Sequence, residues 1–384
     1  MRGNRLIIGA VSIVIGLGFF SNTASVGAEK SSGESEQRAC SVVASESAFC
    51  NADILVDSSM NPMVSTGPTG LVPDRIKAIY NFPTSLTAGA GKTIAIVDAY
   101  DDPTALKDLN VFSTQFGLPT CSEENHCFSK VNQNGDNEHL PQVDPYWAIE
   151  ISLDIQWAHA IAPGAKILLI EARSTSLTDL VVAERYATSH ADYVSNSWGA
   201  AEFAGERRFD ETFNAENASI FVSAGDGSGL PSYPATSPNV ISVGGTTLHF
   251  TNHVFTSETG WIYSGGGCSV YENALSVQRK FPGYSCDGKK STPDVALVGD
   301  PFTGVSVYDS TPIGPNQLAG WFQIGGTSAS TPIFAGRAAA YGGRVNAKTI
   351  YGDNLTFRDI VSGGPGNTCS IGFDLCSGRG AWIG

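Results

Sequence analysis

Five short runs rich in apolar and β-branched residues, bounded repeatedly by glycine or aspartate, constrain this chain most: 93–97, 165–170, 193–197, 219–223 and 240–243. Such runs read as strands buried on both faces of a sheet. Helix-length segments lie between several of them, at 145–161, 177–190 and 206–217. Strand alternating with helix predicts an α/β fold, a parallel sheet flanked by helices on both faces. No internal repeat and no Pro/Gly linker divides 67–384, so one catalytic-size domain is expected there.

The N-terminus carries a different signal. Arg2 and Arg5 precede a mostly apolar run, 6–20, and Val26-Gly27-Ala28 offers the small residues that a signal peptidase reads. This predicts a signal peptide over 1–28; the run is short for a membrane span. Residues 29–66, rich in Ser, Glu, Ala and Gly, read as a short, loosely structured leader or propeptide. The eight cysteines fall into near neighbours along the chain, Cys40 with Cys50, Cys121 with Cys127, Cys268 with Cys286 and Cys369 with Cys376. In an exported chain that pattern predicts four disulfides, and no Cys-x-x-Cys pair argues for zinc instead. The formal net charge of −14 argues against a nucleic-acid partner. A secreted, monomeric protein with no membrane attachment after signal removal is expected.

Gly325-Gly326-Thr327-Ser328-Ala329-Ser330-Thr331-Pro332 opens a small-residue run that reads as a helix. Ser328 would stand at its start, where backbone N–H groups can stabilise a developing oxyanion. Pro332 is expected within the first turn, where proline is tolerated. Subtilisin-like peptidases carry their nucleophile in a similar turn but need a histidine in a His-Gly-Thr-His setting. None of the six histidines here has that setting. Another group must accept the serine proton.

Asp144-Pro145 reads as the cap and first turn of a helix that ends near Pro163. Within it Glu150 and Asp154 are four residues apart and share a face with Trp147, Ile151, Trp157 and Ala158. No Lys or Arg occurs between Lys130 and Lys166. Two acids on an apolar stripe without a cation are costly unless they share a proton, as catalytic carboxylates do. A third acid, Asp226, follows the 219–223 run in Ala224-Gly225-Asp226. Subtilisins have asparagine at the like place, as an oxyanion donor. Aspartate donates there only when protonated, which predicts activity in acid.

Taken in order, Ile94–Asp98, Glu150-(x)3-Asp154, Ser197-Trp198-Gly199, Ala224-Gly225-Asp226 and Gly326–Ala329 resemble the sedolisin family of serine-carboxyl peptidases over about 67–384. The resemblance implies a subtilisin-like fold and endopeptidase activity on proteins or peptides. It implies Ser328 as nucleophile, Glu150 as general base, Asp154 as the residue orienting Glu150, and Asp226 as protonated oxyanion donor. Asp98 falls where relatives place a further acid near the glutamate, with Trp198 beside that network, and the 193–197 strand would lie along the substrate. It also implies one structural calcium ion, held by Asp359 and Asp374 and by the carbonyls of Ile360, Ser370 and Gly372. Those are hard oxygen ligands suited to calcium. Relatives carry a far larger prodomain than the leader read here.

Two rival readings differ in class. A catalytically silent binding protein would be expected to lose one of Glu150, Asp154, Asp226 or Ser328, and none is lost. A histidine-based hydrolase would need His159, five residues past Asp154 and rotated off the carboxylate face.

Overall fold

The computed structural model describes residues 34–40, 47–122 and 124–384. The expected signal peptide over 1–28 lies outside them. Among the described residues no helix is long and apolar enough to cross a membrane.

An eight-stranded sheet forms the centre. Its order is Val254–Gly260, Ile241–Thr251, Ser219–Ser223, Tyr193–Asn196, Thr93–Ala99, Lys166–Ala172 and Phe128–Asn132, with Val295–Val298 pairing in parallel against Ile241–Thr251. Every pairing is parallel except the hairpin between Ile241–Thr251 and Val254–Gly260. The five runs read from sequence all fall in this sheet. Thr93–Ala99 sits centrally: the next two strands are laid on one side of it and the following ones on the other. That reversal opens a crevice at the carboxyl ends of Thr93–Ala99 and Tyr193–Asn196, where ligands of open α/β sheets bind.

Two helices border the crevice. Pro145–Ile161 begins where Asp144 accepts from the N–H groups of Tyr146 and Trp147, as a cap should. The expected single apolar stripe is not what this helix has. Every residue from Trp147 to Ile161 is buried, so Glu150 and Asp154 have no solvated alternative. The second helix, Thr327–Tyr341, packs against it closely. A Cβ at Gly336 would lie 3.0 Å from the Ala158 carbonyl oxygen. Pro332 is in the second turn of this helix rather than the first. The carbonyl its missing N–H leaves behind, that of Ser328, accepts from Ser197 Oγ at 3.5 Å.

All four expected disulfides are present. The segment 206–217 holds a 3-10 helix over Glu206–Phe213 instead of an α-helix. The largest departure concerns the leader. Asp53–Val56 is a buried strand between Ser35–Arg38 and the Leu318–Gly325 strand, and Phe49–Cys50 pairs with Trp198–Ala201. The described part of 29–66 is therefore built into the fold, because Ile54-Leu55-Val56 supplies an apolar run that a neighbouring sheet edge takes up.

Candidate active site

Four segments converge at the crevice. Thr93–Ala99 brings Asp98, the Pro145–Ile161 helix brings Glu150 and Asp154, the loop after Ser219–Ser223 brings Asp226, and the Thr327–Tyr341 helix brings Ser328. Asp98, Glu150, Asp154 and Ser328 are fully buried.

None of the six carboxyl oxygens of Asp98, Glu150 and Asp154 has a hydrogen-bond donor among the described residues. Unpaired buried carboxylates cannot all stay charged, so protons must be shared among them. Burial pushes Glu150 well above the usual carboxylate range, and the charges of Asp154 and Asp98 add to it. The nearby Ser328 hydroxyl works the other way. Asp154 is raised well above its ordinary value by burial and then by Asp98, opposed by Ser197 and Glu150. Asp98 is pushed up by burial to about 8. Trp198 closes the cluster, its indole N–H donating to the Val97 carbonyl at 2.9 Å.

Ser328 is the second residue of its helix and follows Gly326, which has φ +87°. Its hydroxyl donates to the Ser197 carbonyl at 3.1 Å. Asp226 lies on the other side of the turn. Its Oδ1 accepts from the N–H of Thr327 at 2.9 Å and from Thr327 Oγ1 at 2.8 Å, while Oδ2 is buried without a partner. Burial raises Asp226 well above the carboxylate range, the charge of Asp53 adds to this, and Arg38 opposes it. Asp53 is itself raised to about 6 by burial, with Arg38 and Asp226 pulling it down.

Sequence reasoning placed Asp98, Glu150, Asp154, Asp226 and Ser328 at one site, and the structure brings them together. It missed Arg38, Asn51 and Asp53, which also reach this site. The apolar run that follows Asp53 was the available signal. His159 is turned elsewhere, with Nε2 2.8 Å from the Pro119 carbonyl. A carbonyl only accepts, so that nitrogen carries the proton and is no base. The Cys40–Cys50 sulfurs lie within 4.8 Å of a Glu150 oxygen, but joined as a disulfide they ligate no metal. An open cavity of about 310 Å³ continues the crevice beyond Asp226, bordered by Arg38, Phe49, Leu230 and Pro231.

The residues named for calcium lie together at the far C-terminus. Asp374 is buried, its Oδ2 accepting from the N–H of Ser370 at 2.6 Å and its Oδ1 from the N–H groups of Cys376 and Ser377. Asp359 Oδ2 accepts from the N–H of Gly372 at 2.8 Å. Both carboxylates thus flank the loop 370–372, beside the Cys369–Cys376 bridge. Ile360 is buried and Gly372 has φ +86°. Each carboxylate is held by loop N–H groups, and the two meet the same loop from either side.

The subtilase family profile matches residues 129–349. Sedolisin from Pseudomonas sp. (strain 101) is 27% identical over 81% of this chain and 56% of its own length. Kumamolisin from Bacillus sp. (strain MN-32) is 30% identical over 83% of this chain and 63% of its own length. The chain thus spans little more than half the length of these relatives. A solved structure of Pseudomonas sedolisin, a serine-carboxyl proteinase complexed with two molecules of pseudo-iodotyrostatin, superposes with TM-score 0.70 at 27% identity, covering 83% of this chain and 96% of that one. Sphericase, at 22% identity and TM-score 0.55, shares the fold. With that profile, these relatives and a crevice built on buried carboxyls in place of histidine, the chain belongs to the subtilase family and, within it, to the sedolisins.

Proposed function

We propose that this protein is an acid-active serine-carboxyl endopeptidase with Ser328 as its nucleophile. The observation that carries this reading is the cluster of Glu150, Asp154 and Asp98. It is fully buried, lacks hydrogen-bond donors, and borders a serine at a helix N-terminus. Ser328 Oγ attacks the peptide carbonyl carbon and passes its proton to Glu150. Asp154 and Asp98 hold the shared protons that keep Glu150 basic enough to accept one and acidic enough to return it. The Ser328 N–H and protonated Asp226 donate to the oxyanion. Glu150 then protonates the departing amine, and water releases the acyl group by the same steps.

Export with loss of residues 1–28 belongs to this reading, and four disulfides support it. So does a calcium ion at Asp359 and Asp374, with the carbonyls of Ile360, Ser370 and Gly372 completing the ligands. The ion's role there is to tie the C-terminal loops, not to enter the chemistry. Protein or peptide substrates and a monomeric state are proposed on the same basis.

Peptide hydrolysis by Ser328→Ala and Glu150→Gln tests the reading. Each variant should fold and lose at least about a hundredfold in turnover, the low end for losing a general base. Near-wild-type turnover in either variant removes that residue from the mechanism.

A further inference from the structure

A second group of carboxyls lies behind one wall of the crevice. The wall is Trp198–Ala201, whose Ala200 and Ala201 pair antiparallel with Tyr233 and Ser232 beside the cavity at Asp226. Glu202 follows directly. Its Oε1 accepts from the Ser269 hydroxyl and its Oε2 from the Val270 N–H at 3.0 Å, which ties the wall to the strand Gly267–Asn273. Ser269 Oγ already accepts from the N–H groups of Tyr271 and Glu272, at 3.1 and 2.7 Å, so its own proton goes to Glu202. A side-chain hydrogen bond joins Glu206 to Glu202. Glu206 is fully buried; its Oε2 accepts from the Phe203 N–H at 2.7 Å and its Oε1 has no donor. Both Glu202 oxygens are already acceptors, so the proton of this pair belongs on Glu206 Oε1. A second pair repeats the pattern. Glu272 is 2% exposed and hydrogen-bonded through its side chain to Asp210, and its Oε1 is buried without a donor. Asp210 Oδ1 accepts the Tyr233 hydroxyl at 3.2 Å.

We propose that these two carboxyl pairs, Glu202 with Glu206 and Asp210 with Glu272, are a pH-sensitive fastening of the crevice wall. Each pair holds while it shares one proton, and the wall loosens as the medium turns from acid to neutral. The part this wall plays in holding a peptide rests on the peptidase reading above; the fastening itself does not. Glu150 and its partners act in the bond-making step, whereas Glu206 and Glu272 are positioning residues that act through Trp198–Ala201 and Gly267–Asn273.

The charged groups around the pairs do not replace those protons. Arg207 is half exposed, with Nε 3.5 Å from Glu272 Oε2, and it also donates to the Tyr271 carbonyl. Arg208 lies over the rings of Phe203 and Phe209, and Lys289 donates to the Tyr271 carbonyl at 3.2 Å. Arg185 meets the far side of the Glu206–Phe213 helix at Thr212 Oγ1, where Glu211 also lies. Tyr233 is pushed up by burial and by Asp210, so its hydroxyl stays a donor. Burial lifts Glu206 from 4.5 to about 8, the Phe203 N–H opposing and the charge of Glu202 adding. Burial lifts Glu272 from 4.5 to about 7, with the charge of Asp210 adding and Arg207 opposing. The closed wall thus keeps protons that an opened one, with ordinary carboxyls, gives up. The closure this contributes is complete below about pH 4.5 and is lost as pH rises toward about 7 to 8.

The test is hydrogen exchange of the full chain from pH 5 to pH 8, read by mass spectrometry with labelling times scaled to the intrinsic exchange rate. Ser328→Ala serves as the background, so no self-hydrolysis intervenes and the outcome stands whether or not the chain hydrolyses peptides. Protection of 202–213 and 267–273 should fall at least about tenfold across that range, because opening releases the shared protons. Glu206→Gln and Glu272→Gln each supply an amide that donates to the partner carboxylate at every pH. Each should lose most of that fall, while the distant strand Lys166–Ala172 keeps the pH dependence of the background. The two are read separately, so a variant that misfolds leaves the other to decide. A wall equally protected at pH 5 and pH 8 overturns the proposal without either variant. Folded variants that decline as steeply as the background overturn it as well, since the acids then share no proton that fastens the wall. A variant that flattens 166–172 to the same degree shows a change in global stability and overturns the local fastening.

Discussion

Asp226 Oδ1 takes two hydrogen bonds from Thr327, one from its backbone N–H and one from its hydroxyl. Both are donors, so a proton on Asp226 belongs on Oδ2, the oxygen that faces the carbonyl-binding space beside Gly326. Thr327 therefore orients the carboxyl that we propose as oxyanion donor. The Thr327 hydroxyl is fixed in turn by accepting from the Gly225 N–H at 3.1 Å.

The acids and the serine should act as one unit. Glu150→Gln combined with Ser328→Ala should be hardly slower than either single variant, because residues sharing one proton transfer are not additive. Asp154→Asn should lower kcat more than it changes KM, since Asp154 tunes Glu150 and does not bind the peptide. Single-substrate kinetics on the four proteins checks both statements, and multiplicative losses in the double variant would contradict the shared role.

Stability should fall as pH rises through the neutral range. Burial lifts Asp98 from 3.8 to about 8 and Glu184, fully buried on the Leu177–His190 helix, from 4.5 to about 8. Between those values the native protein holds protons that the unfolded chain has released. The stability this contributes is complete below about pH 4 and is lost as pH rises toward 8. Melting temperature measured from pH 4 to pH 8 should therefore decline. A protein more stable at pH 8 than at pH 4 would show that these acids are ionised in the fold.

Gly326 is a backbone requirement as well as a steric one. At φ +87° and ψ 166° it occupies a region open essentially to glycine alone. Gly326→Ala should cost about 1–3 kcal/mol of stability and remove activity by filling the carbonyl-binding space. Thermal melts and peptide assays on one preparation check this; an active, fully stable alanine variant would contradict the geometry.

Much of this was legible in the chain itself, for identifiable reasons. Strands such as Thr93–Ala99 and Lys166–Ala172 are buried on both faces, so their apolar runs stand out without any partner being known. Glu150 and Asp154 showed themselves because the 131–165 stretch has no cation to pair them. The leader hid its role because its strand pairing is long-range. Asp53–Val56 is short, and what makes it a strand is an edge near residue 325 that no local pattern announces. The environment of Glu150 was likewise underread. A helix buried on every side has no stripe, and its polar Ser152, Gln156 and His159 find their side-chain partners far off in sequence.

Chelation should lower the melting temperature, because an ion bound only by the native state stabilises it. Asp374→Asn should reproduce that loss without chelator and show no further drop when chelator is added. Elemental analysis of the untreated protein should find one calcium per chain. No calcium together with an unchanged melt would leave Asp359 and Asp374 as loop-capping residues only.

The most direct measurement compares the pH profile of wild type and Asp226→Asn on one peptide substrate. In the variant, the amide oxygen must take the two Thr327 hydrogen bonds, which directs the NH2 group into the space where the Oδ2 proton acts. Asparagine donates at every pH, whereas aspartate donates only while protonated, and an ionised carboxylate there repels the oxyanion. Wild-type activity should be greatest in acid and fall as pH rises through the apparent titration of the coupled acids. Activity retained by Asp226→Asn should be less suppressed toward neutrality, even if weaker overall because Glu150 and Asp154 stay tuned to acid. Wild type most active above neutral pH would contradict the account.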